Sequence, residues 1–274
     1  MEQFVWMNLM PFFLVITMVA VSGYAEEQKP ESYSLGLVKR AEAGEASAQY
    51  SLGVCYLDGN GLAKDEREAF KWFQKSAEQG NVEGQKILGW CYADGRGVAR
   101  DGKEALKWQS KAADQGDAEG QFNLGVCYIN GVGVEKSETE AVKWYIKAAD
   151  QGNSYAQESL GYCYLNGIGV ARDVKAAFKC FTKSAEQGYV EAQFNLGWCY
   201  LQGIGVEKNA NQAIKWFEKS AEQGNSRSQF NLGVSYLKGN GVAKDLNEAR
   251  KWFVKAAEQG DSEAKEALKH LKVK

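Results

Sequence analysis

The dipeptide Leu-Gly occurs at Leu52-Gly53, Leu88-Gly89, Leu124-Gly125, Leu160-Gly161, Leu196-Gly197 and Leu232-Gly233, each pair 36 residues after the last. A period this strict, with no insertion, means that one supersecondary unit is repeated, and that the units bury their apolar faces on one another. Other positions keep the same register. A Tyr follows four residues after each Leu (Tyr56, Tyr92, Tyr128, Tyr164, Tyr200, Tyr236), then a Gly-x-Gly turn such as Gly95-Arg96-Gly97-Val98.

Within one unit, Ala48, Leu52, Cys55 and Tyr56 fall at i, i+4, i+7 and i+8, one face of an α-helix, called helix A. After the turn, Asp65 stands where an N-cap is needed, and Asp101, Ser137, Asp173, Asn209 and Asp245 stand at the same place in later units. Helix B follows, with a buried face of Ala69, Trp72, Phe73 and Ala77. It ends at Gln79-Gly80, where glycine suits a left-handed C′ residue. Gly53 and its equivalents lie inside helix A at a cost of about 1 kcal/mol each relative to alanine, so close helix approach is expected there. Tyr56 and Trp72 are expected to fill the space around that approach.

The fold class is therefore all-α: a solenoid, or α/α superhelix, of six 36-residue helix-turn-helix repeats with a leading half-repeat and a C-terminal capping helix. The repeats run at about 44–79, 80–115, 116–151, 152–187, 188–223 and 224–259, with a cap over 260–274. Glu31 to Ala43 reads as a leading helix B and Asp261 to Leu271 as a closing helix A. In the cap, Lys265 replaces the Gln of positions 49, 85, 121, 157, 193 and 229, and Lys269 replaces the expected Gly, as suits a polar end.

Residues 1–25 differ in kind from the rest. Phe4 to Val21 is nearly all apolar and is followed by Gly23-Tyr24-Ala25, with small residues at the −3 and −1 positions of an export-signal cleavage site. Cleavage is expected after Ala25, leaving 26–31 as a linker before a solenoid over 32–274. Glu2 without Lys or Arg, and a run of about 18 apolar residues, leave an uncleaved membrane anchor as the alternative. The expected location is exported, periplasmic or extracellular in a bacterium; a membrane is a partner only if the segment stays uncleaved. A formal charge of −2 offers no single-sign field for nucleic acid.

The pattern Ala-Gln-x-x-Leu-Gly-x-x-Tyr-x-x-Gly-x-Gly-Val, then Asp-x-x-x-Ala-x-x-Trp-x-x-Lys-Ala-Ala-x-x-Gly, resembles the SEL-one-like repeat (SLR), a relative of the tetratricopeptide repeat, over about residues 32–274. The resemblance implies a right-handed superhelix of helix pairs acting as an adaptor in protein complexes, often exported and often bacterial, with no shared reaction. A secreted cysteine-rich branch of that family staples each helix pair with two cysteines, and some of its members are described as penicillin-binding or β-lactamase-like. A hydrolase of that kind is the alternative function.

This chain departs from that branch. Cys55, Cys91, Cys127, Cys163 and Cys199 occupy one repeated apolar position, completed by Ser235, and read as small core residues. Equivalent positions in adjacent repeats lie about 10 Å apart at ordinary helix spacing, beyond the roughly 7 Å a bridge allows. Only Cys163 and Cys180 share a repeat; no disulfide is expected, with that pair the one to test. The single histidine, His270, falls in the cap, so a Ser-His-Asp or Cys-His set has almost no material. The Gly-x-Gly turns lack the strand and Gly-Lys-Ser/Thr of a phosphate loop, and Asp58 and Asp94 lack the ladder of a calcium loop. No catalytic residue, cofactor or metal is expected.

A protein or peptide partner is expected on the concave face, which helix A lines in solenoids of this kind. Residues one after each Leu-Gly pair include Trp90, Tyr162 and Trp198; those two before the Leu include Tyr50, Phe122, Phe194 and Phe230. Aromatics there can anchor a peptide or helix. The competing reading of Tyr50, Phe122, Phe194 and Phe230 is packing between repeats. Trp90, Tyr162 and Trp198 depart further from the repeat and are the stronger candidates.

Overall fold

The computed structural model describes residues 30–272. The expected export signal or anchor lies outside the described residues. Among the described residues there are fourteen α-helices and no strand, and no helix is long and apolar enough to cross a membrane. Helix α1 (Leu35–Glu42) leads. The A helices are α2 (Ala46–Asp58), α4 (Val82–Asp94), α6 (Ala118–Asn130), α8 (Ser154–Asn166), α10 (Val190–Gln202) and α12 (Ser226–Lys238). The B helices are α3 (Glu66–Glu78), α5 (Gly102–Asp114), α7 (Glu138–Asp150), α9 (Val174–Glu186), α11 (Ala210–Glu222) and α13 (Leu246–Glu258); α14 (Ser262–Lys272) closes. The chain forms two compact units, one ending at Ala148 and the other beginning at Ala149. Each unit is a stack of A/B hairpins, an all-α solenoid.

Every B helix starts where its cap was expected. The Asp65 carboxylate accepts from the N–H groups of Arg67 and Glu68; Asp101, Asp173 and Asp245 repeat this pair of bonds, and Ser137 and Asn209 each take one. The leading helix is shorter than the sequence implies, because Ser34 caps it and sets its start at Leu35. Most A helices carry side-chain caps of their own, from Asn81, Asp117, Asn153 and Asn225. Glu45 and Tyr189 stand at that position with no such bond.

The helical glycine marks a backbone-to-ring contact. A Cβ on Gly53 would stand 2.5 Å from the Phe73 ring and 3.2 Å from the Ala69 carbonyl oxygen. Tyr145, Phe181, Phe217 and Phe253 play the part of Phe73 against Gly125, Gly161, Gly197 and Gly233, while Gln109 does so against Gly89. The expectation that Tyr56 and Trp72 fill this space is thus corrected: the filler is the residue after the tryptophan, or after Cys180 in the fourth repeat. Trp72 is half-buried with the Lys75 ammonium 4.0 Å over its ring, and four other Trp/Lys pairs repeat the arrangement. The tyrosines serve between repeats. Tyr92 meets Phe70 edge-on at 5.3 Å, and Tyr200 meets Phe178 at 5.4 Å.

Within each unit the Gly-x-Gly turn docks a repeat on the one before. Gly97 has φ +68° and sits so close to the first turn of α3 that a Cβ would fall on the Glu66 carbonyl. Arg96 adds a 2.7 Å ion pair to Glu66. The repeated glutamine is a second tie. Gln229 Nε2 donates to the Ala221 carbonyl at 3.1 Å, and Gln229 Oε1 accepts from Gln259 Nε2 at 2.8 Å. Gln49, Gln85, Gln157 and Gln193 make the same two bonds.

Candidate functional site

Two columns of A-helix side chains, those two before and two after the repeated Leu, present the candidate binding face. In the first unit this face is largely closed. Tyr50, Trp90 and Phe122 are only 5%, 7% and 7% exposed. Tyr50 packs against Phe73 at 6.1 Å between ring centroids and Phe122 against Tyr145 at 5.6 Å, so helix B of the same repeat covers them. The Arg96 guanidinium stands 5.3 Å over the Trp90 ring. These three side chains are core first, and offer a partner little more than an edge.

In the same column Lys86 is buried, with its ammonium 2.9 Å from Glu83, 3.4 Å from Asp117 and 2.8 Å from Glu119. Burial opposes its charge, but the three carboxylates outweigh that and hold its ionisation above the ordinary lysine range. Burial likewise pushes the Glu83 carboxyl up, against the pull of Lys86.

The second unit is more open. Tyr162, Phe194, Trp198 and Phe230 are all half-buried. Phe194 leans on Phe217 at 5.9 Å and Phe230 on Phe253 at 5.7 Å, each keeping part of its ring exposed. The Arg227 guanidinium lies 4.3 Å over Phe194.

Glu158 occupies the column here at 1% exposure, and its Oε1 accepts a 2.9 Å bond from Asn195 Nδ2. Burial is the main cause that pushes its carboxyl up to about 8, helped by the charge of Glu191 and opposed by Arg227 and the Asn195 bond. Tyr155 and Tyr189 meet edge-on at 4.8 Å beside it, and burial and the Glu158 charge raise the Tyr189 hydroxyl. Sequence reasoning passed over Lys86 and Glu158. Their signal was a charge in a column otherwise made of Tyr and Phe.

All six cysteines are free thiols, Cys163 and Cys180 included. Burial raises the thiol ionisation of Cys91, Cys127 and Cys199 to about 12, which keeps them protonated and unreactive. His270 is 78% exposed on α14, 3.4 Å from Glu266.

The Sel1 repeat model matches six consecutive segments, 46–81, 82–117, 118–153, 154–189, 190–225 and 226–261. Among solved structures, the chain is similar to a protective antigen of uropathogenic Escherichia coli displaying an SLR fold, at 41% identity and TM-score 0.80, over 86% of this chain and 50% of that one. It thus spans half the length of that antigen. A Sel1 repeat protein from Oxalobacter formigenes is 34% identical with TM-score 0.79, over 86% of this chain and 68% of that one. An immunity protein from Pseudomonas aeruginosa, 22% identical with TM-score 0.52 over 78% and 81%, shares the fold alone. No curated protein matches the sequence.

Proposed function

The chain belongs to the Sel1 repeat family, and from that membership we propose that it is a non-catalytic scaffold which holds a protein or peptide partner against the exposed face of its A helices. The observation that carries this reading is the set of half-buried aromatics Tyr162, Phe194, Trp198 and Phe230 in the second unit. Rigid rings that keep part of their area in water anchor partners at little entropic cost. In the first unit Tyr50, Trp90 and Phe122 are buried core side chains.

The compartment is proposed to be the exported space of the cell envelope, on the composition of Phe4–Val21 and the Gly23-Tyr24-Ala25 that follows. An N-terminal sequence of the exported protein starting at Glu26 supports this; one starting at Met1 places the chain at the membrane instead.

The test of the scaffold is a crosslinking pull-down from the envelope fraction, with partners identified by mass spectrometry. Captured partners should be lost from a Tyr162→Ala, Trp198→Ala double variant that keeps its helical circular dichroism. Full capture by that variant removes the proposed face. Hydrolysis of a chromogenic β-lactam by the pure protein, abolished by one side-chain substitution, would overturn the non-catalytic reading.

A further inference from the structure

The repeats serve as internal references for one another, and one place departs from them in charge. Adding 72 to the residue number, two repeats, carries Lys86 onto Glu158, Glu119 onto Glu191, Asp117 onto Tyr189 and Glu83 onto Tyr155. In the first unit this position is satisfied internally, because the Lys86 ammonium sits 2.8 Å from Glu119 and is also paired with Glu83 and Asp117. In the second unit the carboxylate equivalent to Glu119 is kept, as Glu191, but the cation that would answer it is gone and a second carboxyl, Glu158, takes its place. Two tyrosines in edge contact replace the other two acids.

Both changes carry a local cost. Glu158 is a buried carboxyl held by the single bond from Asn195. Tyr189 forfeits the side-chain cap that Asn81, Asp117, Asn153 and Asn225 give their A helices, since no side-chain bond is made at the start of α10. Residues that break the local rule of a repeat without a local return are where function is expected. Among the described residues of this unit the cation that acts on Glu158 is Arg227, which is exposed and lies over Phe194, at 4.3 Å. That contact also shows a guanidinium accommodated on a ring of this face.

Resting on the scaffold reading above, we propose that the α8–α10 part of this face takes a cationic side chain of the partner, a lysine or arginine flanked by apolar residues. Its ammonium or guanidinium would stand where the chain's own Lys86 ammonium stands in the first unit. Glu191 would pair with it as Glu119 does with Lys86, Glu158 would lie behind it, and the Tyr155 and Tyr189 rings would receive it by cation–π contact. The apolar flanks would reach Tyr162, Phe194 and Trp198.

The test uses the full chain and fluorescein-labelled nine-residue peptides, identical and apolar except for a central Lys, Arg, norleucine or Glu, read by fluorescence anisotropy. The Lys and Arg peptides should bind at least about tenfold more tightly than the norleucine peptide, with Glu weakest. Glu158→Lys restores the internal cation of the second repeat, so it should fold and lose the preference for Lys and Arg. Glu191→Gln, at a half-buried surface position, should weaken the Lys peptide about tenfold and keep the melting temperature. Equal binding of Lys and norleucine peptides, no binding by any of the four, or an unchanged preference in both variants overturns the proposal. The two readings fail separately: if both charge variants keep their envelope partners while Tyr162→Ala, Trp198→Ala loses them, the aromatic face stands and the cation site falls.

Discussion

A methyl group added at Gly197 would lie 2.7 Å from the Phe217 ring and 3.2 Å from the Ala213 carbonyl oxygen. Alanine gains about 1 kcal/mol over glycine in a helix interior, but here the ring and the backbone behind it must move, at about 1–3 kcal/mol for such overpacking. Gly197→Ala should therefore destabilise the protein by up to about 2 kcal/mol, and Phe217→Leu in the same chain should return part of the loss, measured by urea unfolding. Glu158 gives the opposite lesson, because its cost is electrostatic. Its carboxyl keeps a proton up to about pH 8 in the folded chain, whereas the unfolded chain releases it near 4.5. Folding is thus favoured by this group in acid, and the benefit drains away as pH rises from about 4.5 to about 8. The loss should be on the order of a few kcal/mol across that window, and Glu158→Gln should flatten the slope. A slope unchanged in Glu158→Gln would show that other groups set it. At this scale the N-caps were legible in the sequence, since a cap acts within three residues. The partner of Gly53 was not, because Trp72 and Phe73 are neighbours on one helical stripe and spacing cannot tell which of them turns toward helix A.

At the scale of elements, one side chain ties three helices in the repeat plan. Gln229 joins the end of α11, through the Ala221 carbonyl, to the end of α13, through Gln259, and it is buried while Gln259 is exposed. Removing the amide breaks both bonds of this tie, although the Gly224 N–H still answers the Ala221 carbonyl at 3.0 Å. Gln229→Ala, which loses two hydrogen bonds, is expected to cost about 1–3 kcal/mol in chemical denaturation, whereas Gln259→Ala, which loses one from an exposed side chain, should cost about 1 kcal/mol or less. Equal costs for the two would show the ladder to be incidental. The repeated Gln, Gly and turn were visible as a register in the sequence, but what each residue grips was not. Gly53 meets Phe73 on the next helix, Gln229 meets Gln259 at the end of the helix after its own and Gly97 meets Glu66 of the repeat before, and a register gives spacing without saying which neighbour lies across it.

For the whole molecule, stability comes from repeated contacts between successive hairpins and owes nothing to cross-links. Repeat proteins add up interface by interface, and the five cysteines of the helix A series are buried thiols, Cys91 packed with Phe73 and Cys199 with Leu196. The division at Ala148 and Ala149 left no mark in the sequence, because the 36-residue register runs through it unbroken. The expectation against disulfides was readable from spacing alone, since one cysteine per repeat at a fixed position has no bonding partner within reach. Even Cys163 and Cys180, which do share a repeat, remain unbridged thiols. With that distribution of thiols a reductant should leave the melting temperature unchanged, where loss of a native bridge would lower stability by about 2–5 kcal/mol. Unreduced chains unfolded in guanidinium should react at all six cysteines with a thiol reagent. In the native fold Cys180, the half-buried one, should react first. A count of four with a reductant-sensitive melting point would place a bridge between Cys163 and Cys180, and would require α8 and α9 to draw together at that point.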